Sequence, residues 1–216
     1  DILEATGAMG GNLVNLYTNE GGISPRQYIK DLEAKVRAND KISVHLNTKV
    51  EDVAGFVGNF KVKVTGGKEL ETGAIIVATG AKAYVPTEYN YGKDKKVVTQ
   101  NELEKALSEG KFAAKNVVMI QCVGSRNDEA PYCSRVCCSK AVKNAIEIKK
   151  KDPKAQVYVL HKDIRTYGFR ETLYKEAGEL GVKFIRYPEN KMPEMTSDGK
   201  IVVDDTVLGA PVQLSP

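Results

Sequence analysis

Apolar positions along the chain change period twice. Between residues 24 and 39, Tyr28, Ile29, Leu32 and Val36 share one face at helical spacing. Ser24 stands where it can cap free amides, Pro25 fits the first helical position and Gln27 completes a capping box, so this stretch predicts a helix. From 42 to 64 the period falls to two, with Ile42, Val44 and Leu46, then Val50 and Val53, then Phe60, Val62 and Val64 after a Gly58-Asn59 turn. That alternation predicts the strands of a meander. Gly66-Gly67 makes another turn, and the run Ala74-Ile-Ile-Val-Ala78 reads as a buried strand ending on Thr79-Gly80. Residues 81–98, rich in Tyr, Lys, Gly and Pro and without a sustained period, read as a linker.

Beyond the linker, strand and helix patterns alternate. Thr99 and Glu102 form a second capping box ahead of Leu103, Ala106 and Leu107, and Val117-Val-Met-Ile120 is a strand. A helix from about 134 to 150 carries Val142, Ala145, Ile146 and Ile148, Val157-Tyr-Val-Leu160 is the next strand, a helix at 170–180 closes on Gly181, and Val182–Arg186 is a third strand. The order predicts a right-handed parallel βαβαβ unit within residues 99–190. Short β segments, Ile201–Val203 and Val212–Leu214, occupy 191–216. The triplet Lys149-Lys150-Lys151 reads as a solvated helix end that complements the helix dipole.

The chain has 216 residues, enough for one full domain or two small ones, with 32 Lys and Arg against 28 Asp and Glu. A net charge of +4, with lysines scattered among acids, does not by itself imply nucleic acid or anionic lipid as a partner. No apolar run reaches the length of a membrane span and no basic start leads into one, so neither direct membrane insertion nor export is expected and the expected location is cytoplasmic. The abrupt start at Asp1, one residue before an apolar strand, reads as a piece of a longer protein.

All four cysteines, Cys122, Cys133, Cys137 and Cys138, fall in the loop after the first strand of the βαβαβ unit and the first turn of the helix that follows. In a nucleotide-binding unit that turn is glycine-rich, because backbone amides must approach a pyrophosphate at the helix N-terminus. Here the fingerprint is absent, and thiols occupy the usual ligand position at the end of a parallel strand. Four thiolates within one loop and one helical turn could wrap a cubane iron–sulfur cluster, which tolerates varied spacing. A zinc site is harder to build, because adjacent Cys137 and Cys138 must turn far to meet one ion. A disulfide reading needs a strained vicinal pair or two bridges in a chain with no sign of export. Packing of the cysteines as small hydrophobes is the fourth reading. Ser125, Arg126 and Arg135 could donate hydrogen bonds and positive charge to a centre held there.

The phrase Ile120-Gln-Cys-Val-Gly-Ser-Arg126, with Pro131-Tyr-Cys-Ser-Arg-Val-Cys-Cys138 and Asp163-Ile-Arg-Thr-Tyr-Gly168, resembles the FAD- and iron–sulfur-carrying subunit of heterodisulfide reductase, together with its homologues in anaerobes. The likeness extends through Phe184-Ile-Arg-Tyr187 and, more loosely, back through Gly55–Phe60 to Gly10-Gly11. It implies an α/β fold of the FAD/NAD(P)-binding, two-dinucleotide-binding-domain type, holding the parallel βαβαβ unit and the β-meander. It implies a [4Fe-4S] cluster ligated by Cys122, Cys133, Cys137 and Cys138. Residues 1–80 would be a partial FAD-binding domain, with Glu4 accepting from the adenosine ribose, Gly10 and Gly11 in the following loop, Val50 near the adenine, and Thr79 and Gly80 closing the FAD segment. The first strand and G-x-G-x-x-G of that domain are not in this chain, nor are the ferredoxin-type cysteine motifs of longer family members; Tyr17–Pro25 has no cysteine either.

The resemblance thus implies an electron-transfer flavoprotein that relays electrons between FAD and the cluster and passes them to other heterodisulfide-reductase-like or electron-transfer subunits. Two other functions fit the residues. One is an NAD(P)H-dependent thiol oxidoreductase with an exchangeable pair such as Cys133 and Cys137; the other is a zinc-stabilised interaction domain. His161 reads as exposed or hydrogen-bonded, not catalytic, and His45 takes no role. Arg165 and Tyr167 are candidate contacts to flavin, partner or cluster.

Overall fold

Strand β1 (Ile2–Leu3) lies parallel to β2 (Val44–His45), pairing Ile2 with Val44 and Leu3 with His45 across an intervening helix. The computed structural model describes residues 1–17 and 24–216, which divide into two units, Asp1–Ala83 and Tyr84–Pro216. Helix α1 (Pro25–Arg37) starts where the sequence predicts, with Ser24 Oγ accepting from the Gln27 amide at 3.3 Å. The capping box is incomplete, because the Gln27 side chain turns forward to Asp31 at 2.7 Å. The apolar face of α1 is only partly covered: Tyr28 is 50% exposed and Leu32 46%. Its packing partner is the short 3-10 turn Gly11–Asn15, a smaller surface than a full sheet would offer. Part of the cysteine-free stretch Tyr17–Pro25 lies outside the described residues.

The expected meander forms as β3 (Val50–Phe56), β4 (Asn59–Val64) and β5 (Glu69–Thr72), an antiparallel sheet in that order. Gly55 takes φ 96° beside the β3–β4 turn, and a Cβ there would meet the Asn59 carbonyl oxygen at 2.1 Å. Two expected strands fail in this unit. The strand foreseen over Ile42–Leu46 shrinks to Val44–His45, and Ala74–Ala78 is not a strand at all. Ile76 is 91% exposed and Val77 78%. An apolar run buries itself as a strand only with neighbours on its edges and faces, and among the described residues the parallel sheet of this unit is the β1–β2 pair alone.

The second unit follows its predicted order. Helix α2 (Gln100–Ser108) has the reciprocal capping box of Thr99 and Glu102, with the Thr99 amide donating to Glu102 Oε2 at 2.7 Å. Then come β6 (Asn116–Ile120), α3 (Cys137–Lys151), β7 (Gln156–His161), α4 (Glu171–Glu179) and β8 (Lys183–Arg186). The strands make a parallel sheet, β6-β7-β8, pairing Ile120 with Leu160 and His161 with Arg186. One face packs Met119, Val157 and Val159 against Val142, Ala145 and Ile148 of α3 and Ala177 of α4. Buried Glu104 of α2 bridges Lys140 and Lys143 of α3, each at 2.7 Å. Lys149 does not behave as a solvated helix end: it is 7% exposed and donates to the carbonyls of Pro153 (2.6 Å) and Ala155 (3.0 Å). Apolar helix neighbours and freed carbonyls make that site accept a long side chain with its charge hydrogen-bonded.

An antiparallel sheet of β9 (Glu194–Met195), β10 (Ile201–Asp205) and β11 (Ala210–Leu214) completes the unit. Ile201, Val203 and Leu214 cover the other face of the parallel sheet with Leu160, Ile185 and Tyr187. The segment after Ala83 packs within this unit, where Tyr89 donates to the Pro193 carbonyl at 2.8 Å and Tyr91 to Glu102 at 3.1 Å. Among the described residues no helix is long and apolar enough to cross a membrane.

Candidate functional site: the cysteine loop

The loop leaves the sheet abruptly. Gln121 still belongs to the ladder, donating its amide to Leu160 at 2.9 Å. Cys122 then takes φ 64°, and the chain turns, with the Ser125 amide returning to the Cys122 carbonyl at 3.2 Å. Gly124, Arg126 and Arg135 also lie at positive φ, of 67°, 56° and 61°. Left-handed backbone at three non-glycine positions is uncommon and persists where surroundings impose it. The loop is held by its neighbours: Tyr187, 1% exposed, donates to the Gln121 carbonyl at 2.7 Å, and Lys162 donates to the Arg126 carbonyl at 2.8 Å.

All four cysteines are free thiols, Cys122 and Cys138 buried, Cys133 and Cys137 partly so. Helix α3 begins at Cys137 with no side chain capping its amides, so its first turn presents partial positive charge to sulfur. Cys137 and Cys138 share a hydrogen bond, and this bond, with further donation from Ser134 and the Cys138 and Cys122 amides, holds the Cys137 thiol down at about 6. Cys138 is displaced upward, first by that same bond and then by burial. The direction is that of one thiolate accepting from a neighbouring thiol. Cys138 Sγ also reaches the Asp163 carbonyl at 3.9 Å. Burial raises the Cys122 thiol, the Arg126 guanidinium opposing.

Cys122, Cys137 and Cys138 therefore sense one another electrostatically. Cys133 accepts from the Arg135 amide at 3.3 Å farther along the same loop. Among the described residues no three His, Cys, Asp or Glu side chains converge tightly enough for a single metal ion; one tetrahedral zinc needs sulfurs about 3.8 Å apart. A cubane takes one thiolate per iron and needs a wider set. Two further observations suit an acceptor-rich guest. Among the described residues Gln121 Nε2 is buried without a partner at the base of the loop, and Lys162, the residue after β7, is a buried cation. The donor set of four thiols, the free helix amides and these donors fit an anionic iron–sulfur cluster.

The burial of Lys162 and the surrounding ion pairs escaped the sequence reading, whose only signal was the phrase His161-Lys-Asp-Ile-Arg165. Arg126 pairs with Asp163 and with Glu189, the latter at 2.5 Å, and Arg165 reaches Asp163 at 3.0 Å. Tyr167 is 59% exposed. His161, expected exposed or hydrogen-bonded, is 7% exposed with no partner at Nδ1, and burial, aided by Arg186, lowers it to about 4. Its position on the last residue of β7 places it under the helix layer, edge-on to Phe184.

In the first unit, Glu4 follows β1 and its Oε1 accepts from the Thr6 hydroxyl and amide, both at 2.8 Å, which lowers its carboxyl. Oε2 has no part in those two bonds. Gly10, at φ 114°, passes so close to α1 that a Cβ would stand 3.1 Å from Ile29 Cγ2, and Gly11 opens the 3-10 turn. From that turn Asn12 Nδ2 donates to the Ala81 carbonyl at 2.5 Å, joining the Gly10-Gly11 loop to the stretch Thr79-Gly80-Ala81, where Gly80 has φ 67°. Asn12 was not singled out in the sequence. Val50 begins β3, 50% exposed. His45, given no role, contacts Asp1 at 2.7 Å.

No family model matches the chain. It is 42% identical over 163 residues to a component of the H(2)/formate:CoB-CoM heterodisulfide,ferredoxin reductase of Methanococcus maripaludis, covering 65% of this chain and 24% of that protein. It is 40% identical over 168 residues to a CoB–CoM heterodisulfide reductase iron-sulfur subunit of Methanocaldococcus jannaschii, covering 68% of this chain and 25% of the relative. The chain thus spans about a quarter of the length of the curated relatives it matches. Among solved structures, thioredoxin reductase from T. acidophilum superposes with TM-score 0.52 at 15% identity, covering 99% of this chain and 64% of the other. Over about two thirds of its length the chain is a homologue of these heterodisulfide reductase subunits, on a thioredoxin-reductase-like α/β fold of the FAD/NAD(P)-binding type.

Proposed function

We propose that this chain is the part of an oxidoreductase that relays electrons between FAD and a [4Fe-4S] cluster, with Cys122, Cys133, Cys137 and Cys138 as the cluster's ligands. The observation that carries the reading is the thiol group at the C-terminal end of β6, where Cys122 follows the strand, Cys137 and Cys138 open α3 with no side chain capping its amides, and Cys122 and Cys138 are buried. Hydrogen bonds to Cys137 shift its thiol in the direction of the thiolate, the form that binds iron. Such a cluster supplies one-electron exchange at a potential set by its charge and hydrogen bonds. The chain's residues supply what surrounds it: α3 directs amides at sulfur, Tyr187 and Lys162 fix the loop, and Arg126 and Arg165 line it.

For flavin, which accepts electrons in pairs or singly, the assigned residues are Glu4, Gly10, Gly11, Val50, Thr79 and Gly80. Glu4 Oε2 would accept from a ribose hydroxyl, and Asn12 would keep the Gly10-Gly11 loop beside Thr79-Gly80. The pyrophosphate glycine motif is not among these residues, so flavin affinity in this chain alone should be weak. The relatives' names, which describe parts of multi-subunit reductases, support partner subunits as electron donors or acceptors.

The test is anaerobic reconstitution of the full chain with iron and sulfide, followed by assay of iron, acid-labile sulfide, zinc and flavin. About four irons and four sulfides per chain, lost in Cys137→Ser and in Cys138→Ser, is the expected result. Stoichiometric zinc instead would support an interaction domain, and a metal-free protein with titratable thiols an exchangeable thiol pair.

A further inference from the structure

The charges around the cysteine loop do not close. Arg126 binds both Asp163 and Glu189, and Arg165 takes the second oxygen of Asp163 at 3.0 Å, so two arginines hold both carboxylates. Lys162 is left between them. Its side chain is 4% exposed, its ammonium donates to the Arg126 carbonyl at 2.8 Å, and among the described residues the nearest carboxylate oxygen is Glu189 Oε2 at 4.0 Å, on a side chain that is itself 62% exposed. Arg186 adds another cation, donating to the Lys162 carbonyl at 3.1 Å.

Burying an ammonium with so distant a counter-ion is costly unless a negative group arrives to pair with it. The cysteine loop lies along Lys162: the ammonium meets the Arg126 carbonyl of that loop, the Lys162 amide is a hydrogen-bond partner of the Cys122 sulfur, and the following carbonyl, of Asp163, receives Cys138 Sγ at 3.9 Å. We propose that Lys162 is the counter-charge built into the fold for the anionic group that the cysteine loop holds, the iron–sulfur cluster of the reading above, on which this inference rests. Four thiolates on a cluster carry net negative charge, and a fixed cation beside them favours the reduced state.

The test is Lys162→Gln in the full chain, because glutamine removes the charge and keeps an N–H donor for the Arg126 carbonyl on a side chain one atom shorter. In the metal-free protein the variant should unfold at a higher temperature than wild type. After anaerobic reconstitution it should have a lower reduction potential, read by a redox titration followed by electron paramagnetic resonance, and lose iron faster to a chelator. A lysine that served only to hold the loop would lower the unfolding temperature and leave the potential unchanged. The potential decides: a loaded Gln variant with the wild-type value overturns the proposal whatever its stability. Should that variant fail to load, Lys162→Arg decides instead, since loading restored by charge supports the proposal and failure of both overturns it. A wild-type chain that takes up no iron is a separate result, which removes the cluster reading itself and this inference with it.

Discussion

Gly124, two residues beyond Cys122, shows how tightly single residues are specified here. A Cβ at this position would stand 2.3 Å from Tyr84 Cε1 and 2.5 Å from Cδ1 and Cζ, and the backbone is already at φ 67°. Gly124→Ala should therefore destabilise the second unit by about 1–3 kcal/mol, and adding Tyr84→Ala should recover the steric part; equal midpoints for Gly124→Ala and wild type in urea would contradict this. His161 makes a prediction about pH. Its folded value, about 4, lies below its ordinary 6.5, so the fold resists protonation. Above about 6.5 stability is complete; as pH falls toward 4 the unfolded chain binds a proton that the folded one refuses, and up to roughly 3 kcal/mol is lost across that window. His161→Gln should flatten the dependence of the urea midpoint between pH 4.5 and 7, and an unchanged slope would assign it to other groups.

At the scale of elements, α3 is the support of the site. It packs between α2 and α4 against the parallel sheet, and its first residues are Cys137 and Cys138. Ile148, 1% exposed near its far end, contributes to that anchoring, so Ile148→Ala should cost about 2–5 kcal/mol by the cavity it leaves. Thr99→Ala, which removes the capping box of α2, should cost about 1 kcal/mol. Both are read from chemical denaturation, where the two variants should differ in midpoint but not in cooperativity. Helices and strands of this unit were legible because their periods, caps and breakers are local: Thr99 with Glu102, the apolar face of α3, and Gly181 at φ 83° all lie where the pattern puts them. Ala74–Ala78 misled because an apolar run carries no record of whether a partner strand lies beside it, and Lys149 misled because its hydrogen-bonding carbonyls come from the turn beyond the helix.

For the whole molecule, every residue of both buried apolar clusters lies after Ala83. Residues 84–216 expressed alone should thus fold, with a cooperative thermal transition, and bind iron as the full chain does; an unfolded product would mean that the first unit contributes to that core. The sequence by itself determined the alternation of strands and helices in the second unit, the meander of the first, and the loop that carries the cysteines, since each is written in neighbouring residues. Tertiary structure alone decided which thiols meet, that Lys162 and His161 are buried, that Asp163 and Glu189 are committed to arginines, and that Asn12 ties its loop to Ala81. Those pairings join residues distant in the chain, and burial and charge compensation depend on what folds beside a residue, which no local period encodes.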